Sequence, residues 1–129
     1  MKPPPDARIF VTELSTFWID EDGILCTVSK NTERTLEKQK KTFELVKKVI
    51  GNKKVCLLAE ITNLAPQDKE TRDYVALETP KMFKATATIS NSVLSRFIVK
   101  IFLTLKGQSI PTKMFDDEHK AKEWLKQYL

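Results

Sequence analysis

The chain reads as an α/β domain with a mainly parallel central sheet of about five strands, an N-terminal antiparallel hairpin and four flanking helices. Three observations lead there. The last third alternates strand-length and helix-length patterns, and such alternation implies parallel crossovers. The segment Val55 to Ala59 is continuously apolar, as expected of a strand buried on both faces. The turn pair Asp22-Gly23 lies between two extended stretches, the signature of a tight hairpin.

In order along the chain, the proline-rich residues 1–7 form a loose lead and residues 8–129 the single domain, a size that supports one substantial core. Arg8 to Leu14, Phe17 to Asp20 and Ile24 to Val28 are extended and make a hairpin or meander around Asp22-Gly23. Thr35 to Ile50 is helical, with Leu36, Phe43, Val46 and Ile50 on one face, lysines opposite, and Gly51 as the C-terminal stop. Val55 to Ala59 is the middle strand. Pro66 suits the first turn of a helix with Asp68 and Glu70 near its positive end, Tyr74 and Leu77 toward the core and Pro80 as its stop. A short basic loop then leads to the strand Lys84 to Ile89. Asn91-Ser92 offers capping oxygens to an apolar helix running to Leu105. Ile110 to Phe115 is the last strand, and Asp116 to Tyr128 a closing helix that buries Ala121, Trp124, Leu125 and Tyr128.

Composition narrows the function classes. The chain is 41% hydrophobic and 30% charged, as soluble globular proteins are, and no run is long enough to span a membrane. No apolar leader follows Met1-Lys2-Pro3, and two cysteines in apolar strand patterns fit a reducing compartment, so the expected location is cytoplasmic. A net charge of +5 is too small for a dedicated nucleic-acid binder. The lysines at 38, 40, 41, 47, 48, 53 and 54 cluster, but no aromatic residue interleaves with them to stack bases, and a solvated helix face accounts for them. The single histidine, His119, has no partner for a triad. Neither cysteine has zinc-ligand spacing, and three scattered glycines build no phosphate loop. The expectation is a non-enzymatic protein without cofactor or metal.

Several short motifs carry a resemblance: Glu21-Asp22-Gly23-Ile24-Leu25, Leu57-Leu58-Ala59-Glu60-Ile61, Ala85-Thr86-Ala87-Thr88-Ile89, and Phe115-Asp116-Asp117-Glu118 running to Trp124-Leu125. Together, and over nearly the whole chain from Arg8, they resemble the SpoIIAA-like, or STAS-type, superfamily. The resemblance implies a protein-interaction or regulatory module. In anti-sigma-factor antagonists of this fold a phosphorylatable Ser starts the helix after a central strand. Here Lys69 stands at that place, and Thr62 or Thr71 could serve only in a shifted register.

The candidate partner or ligand site is therefore Glu60, Asn63, Asp68, Lys69 and Arg72, at the strand end where open α/β sheets bind ligands. Glu60 and Arg72 either organise that site or form a structural ion pair. On the 92–105 helix, Arg96, Lys100 and Thr104 make a narrow polar stripe. Leu94, Phe97, Ile98, Ile101, Phe102 and Leu105 suffice to cover the sheet, which leaves Val99 and Leu103 beside Arg96 as an interface or apolar cleft. The occupants this predicts are a protein partner, a second copy of the chain, or an apolar small molecule or lipid in a SpoIIAA- or CRAL-TRIO-like cleft.

Overall fold

The computed structural model describes residues 1–61, 67–90, 92–94, 96–97, 100 and 109–129. Six strands form one sheet in sequence order: β1 (Phe10–Val11), β2 (Ser15–Ile19), β3 (Leu25–Ser29), β4 (Val55–Glu60), β5 (Phe83–Ile89) and β6 (Thr112–Phe115). The first three run antiparallel to one another, and β3 through β6 are parallel. The sheet thus has six strands where about five were expected, and Arg8 to Leu14 contributes only the two-residue edge strand β1. The parallel half and the central place of β4 agree with the sequence. Three helices are described: α1 (Leu36–Ile50), α2 (Lys69–Met82) and α3 (Glu118–Leu125), the last extended by a 3-10 turn over Lys126–Tyr128. Much of the fourth expected helix, 92–105, lies outside the described residues.

The hairpin between β2 and β3 closes on Asp20. Its Oδ1 accepts from the backbone N–H of Asp22 and of Ile24, each at 2.9 Å, while Gly23 takes the positive φ of 80° that a side chain would disfavour. The other carboxylate oxygen lies 3.4 Å from Lys122 Nζ and ties the turn to α3. Helix α1 begins at Thr35, whose hydroxyl accepts from Lys38 N–H, and stops at Gly51 with φ 66°, as predicted.

Helix α2 departs from the prediction. It starts at Lys69 behind the N-cap Asp68, and Pro80 lies inside its last turn instead of ending it. So near the C-terminus a proline removes a single backbone bond. No loop follows, since Met82 passes directly into Phe83 of β5 and the Phe83 N–H donates to the Thr79 carbonyl. Tyr74 is half-buried and stacks on Phe43 with ring centroids 5.8 Å apart, whereas Leu77 is 66% exposed and does not face the core.

Each face of the sheet has its own core. Under α3, Trp18, Cys26, Cys56, Leu58, Ala85 and Ala87 pack with Ala121 and Leu125, and Met1 and Ala7 of the N-terminal lead lie against them. On the other face Phe17, Leu25 and Phe83 pack with Val46 of α1 and Met82 of α2. Crossovers of one hand between strands laid down in order put successive helices on one side, and α1 and α2 share theirs. Burying each large apolar side chain in these clusters contributes roughly 1.5–3 kcal/mol.

Candidate functional site

Parallel strands bring the C-termini of β3 and β4 to one edge, and each crossover returns the start of its helix to that edge. Arg34 immediately precedes the α1 cap Thr35, and Gln67 immediately precedes the α2 cap Asp68. The two form a parallel backbone bridge, and the Gln67 side-chain amide donates to Gln39 Oε1 at 3.4 Å. The first turns of both helices therefore stand side by side above the ends of β3 and β4.

Beneath them is a cavity of about 170 Å³ between the sheet and the two helices. Phe17, Leu25, Phe43, Val46, Leu57 and Phe83 contribute its apolar wall, and Ser15, Ser29, Arg34, Gln39, Thr42 and Gln67 its polar lining. Two of those polar groups sit on the buried face of α1, where Gln39 is 3% and Thr42 6% exposed.

Among the described residues, Arg34 is the only charged one lining this cavity. Its Nε is fully buried without a hydrogen-bond partner, and its Nη1 donates to the Leu14 carbonyl at 3.5 Å, the outer limit of a hydrogen bond. Among the described residues no carboxylate pairs with it. Burial pushes its pKa down, yet a guanidinium keeps its charge at any physiological pH.

The residues predicted from sequence are arranged differently from expectation. Glu60 and Arg72 do not meet: Glu60 Oε1 lies 3.3 Å from the Met1 ammonium, and Arg72 Nε is buried without a hydrogen-bond partner. Asp68 is the α2 cap, its Oδ1 accepting from Thr71 N–H at 2.8 Å. The Thr71 hydroxyl and backbone amide, and then the Arg72 charge, hold its carboxyl below the usual range. Lys69 is exposed and reaches Asp73 at 3.4 Å. Thr71 is fully buried, which removes it as an accessible phosphate acceptor. Asn63 and Thr62 lie outside the described residues.

Arg96 donates from Nε to the Ser90 carbonyl at 2.8 Å. Val99 and Leu103 lie outside the described residues. Leu94 and Phe97, expected to cover the sheet, are 66% and 60% exposed, and Val93 beside them is 82% exposed. The lysine face of α1 is partly engaged: Lys47 and Lys81 both grip Glu78 at 2.6 Å, Lys41 pairs with Glu37, and Lys40 lies over the Tyr74 ring. Hydrogen bonds from Lys47 and then Lys81, with their charges behind them, hold Glu78 below the usual carboxylate range. Cys26 and Cys56 are free and buried, and burial followed by the nearby Asp20 charge pushes the Cys26 thiol up to about 12.

Sequence reasoning missed Arg34, Gln39 and Gln67. One signal was readable. Gln39 occupies a slot in the apolar series Leu36, Phe43, Val46 and Ile50, where a polar side chain must find a buried partner.

Residues 17–129 match a family described as "Domain of unknown function (DUF7793)". The structure is similar to that of an uncharacterized protein of the DUF3478 family with a SpoIIAA-like fold from Shewanella loihica PV-4, with TM-score 0.55 and 19% identity over 97% of this chain and 98% of that one. At that identity the likeness shows the fold alone, and the fold is SpoIIAA-like. A protein of unknown function from Arthrobacter sp. FB24 aligns with TM-score 0.32 and 21% identity over 85% of this chain and 97% of that one, too low to carry an argument. No curated protein matches.

Proposed function

We propose that this chain, which belongs to the DUF7793 family, works as a non-catalytic protein-interaction or regulatory module of the cytoplasm. The observation that carries the reading is the exposed apolar group Val93, Leu94 and Phe97 a few residues after β5. Three large apolar side chains within five residues, all more than half exposed, are the kind of surface that a partner covers. Two free, buried thiols support a reducing location.

The test is a paired replacement, Leu94→Asp with Phe97→Asp. Native chain at high concentration, or tagged chain in extract of its host, is expected to associate with a second copy or a defined partner, and the double variant to lose that association while keeping its thermal midpoint. A native chain that stays monomeric and recovers nothing would sink the reading.

A second reading, binding of an apolar small molecule, is favoured by the cavity under α1 and α2. It moves the site from the expected Val99 and Leu103 cleft to the C-terminal edge of β3 and β4.

A further inference from the structure

We infer that the cavity under the first turns of α1 and α2 is a binding site for a small monocarboxylate whose apolar body is about one aromatic ring in size, with Arg34 receiving the carboxylate. The inference rests on the small-molecule reading and adds the ligand's chemistry to it.

Size is the first constraint. At about 170 Å³ the space is close to the roughly 150 Å³ that admits benzene in an apolar protein cavity. Phe17, Leu25, Phe43 and Val46 give such a ring the apolar wall it needs.

Charge is the second. A cation with its Nε buried and unpartnered is costly unless an anion compensates it. None of the described carboxylates does so, and residues 62–66, 91, 95, 98, 99 and 101–108 include no Asp or Glu. A ligand can supply that anion. A planar guanidinium fork matches a planar carboxylate. The other polar groups at that end, Ser29, Gln39 and Gln67, are neutral donors and acceptors, so one Arg faces one negative charge. A doubly charged phosphate would remain half uncompensated. The apolar wall and the single cation together select an amphipathic acid over an inorganic anion.

Calorimetric titration of the full chain with benzoate, with benzamide and with inorganic phosphate tests this. Benzoate is expected to bind saturably at one site, with benzamide weaker by about tenfold or more because it forfeits a charge-assisted bond. Arg34→Met should bring benzoate down to the level of benzamide. Equal binding of benzoate and benzamide would overturn the carboxylate assignment while leaving the small-molecule reading standing. Absence of binding by either would overturn both, and phosphate displacing benzoate would overturn the selection against inorganic anions. Should Arg34→Met fail to fold, the ratio of benzoate to benzamide on the native chain still decides.

Discussion

On the face of the sheet covered by α3, Cys56, Leu58, Ala85 and Ala87 are completely buried, and with Ile89 they give β4 and β5 an apolar core there. On the opposite face, under α1 and α2, the inward positions of β2 and β3 include Ser15, Thr27 and Ser29. Val55 and Leu57 are only half-buried there, and a cavity remains. A strand alternates its side chains between faces, so the same six residues of β4 help build a closed core on one side and the wall of a hollow on the other. The difference is one of packing: one face is filled, and the other keeps a cavity beside its core.

The sharpest way to break that comparison is to truncate neighbours that point to opposite faces. Leu58→Ala should cost about 2–5 kcal/mol in denaturant unfolding, because a filled core collapses poorly. Leu57→Ala should cost nearer about 1 kcal/mol, since its side chain already borders empty space. Equal losses would mean that the two faces are packed alike.

Enlargement should give the same order, the closed face losing more. Ala87→Val on the closed face is expected to lose about 1–3 kcal/mol by overpacking. Ala59→Val, whose added methyls enter the cavity, should stay within about 0.5 kcal/mol of the native chain. Thermal midpoints of the two variants check this, and a loss in Ala59→Val as large as in Ala87→Val would show that the space cannot accept a group.

A smaller effect belongs to the closed face alone. Cys26 has its pKa raised from 9.0 to about 12 by burial, so the folded chain holds a proton that the unfolded chain releases above pH 9. Stability is then intact below the unfolded value and falls as pH rises from 9 toward 12, by no more than about 1.4 kcal/mol per pH unit. Cys26→Ala should flatten that alkaline decline in a pH series of unfolding midpoints. An unchanged slope would show that Cys26 contributes nothing to it.

Local patterns were legible where a single stretch of chain carries its own instruction. The Asp22-Gly23 turn, the Thr35 and Gly51 limits of α1, the central place of β4 and the parallel half of the sheet all follow from such stretches. Pro80 was misread because a proline near a helix end removes only one bond, and tertiary packing carried α2 past it into β5. Leu77, Leu94 and Phe97 were misassigned because helical periodicity places apolar residues on a common face without saying whether anything lies against it. The Glu60 and Arg72 pairing failed for a related reason. Proximity to one strand end does not choose among partners, and the Met1 ammonium, 59 residues away in sequence, holds Glu60 instead.

The amino-acid sequence by itself determined most of the described elements and their order, because caps, turns and hydrophobic periods act over a few residues, and its short motifs carried the resemblance to the SpoIIAA-like class. Only the tertiary structure decided which polar groups share a hollow. Arg34, Gln39 and Gln67 come from two crossovers separated by a strand, and they meet because parallel pairing of β3 with β4 sets both helix starts on one edge. Pairing across the sheet depends on long-range register, and no local pattern records it.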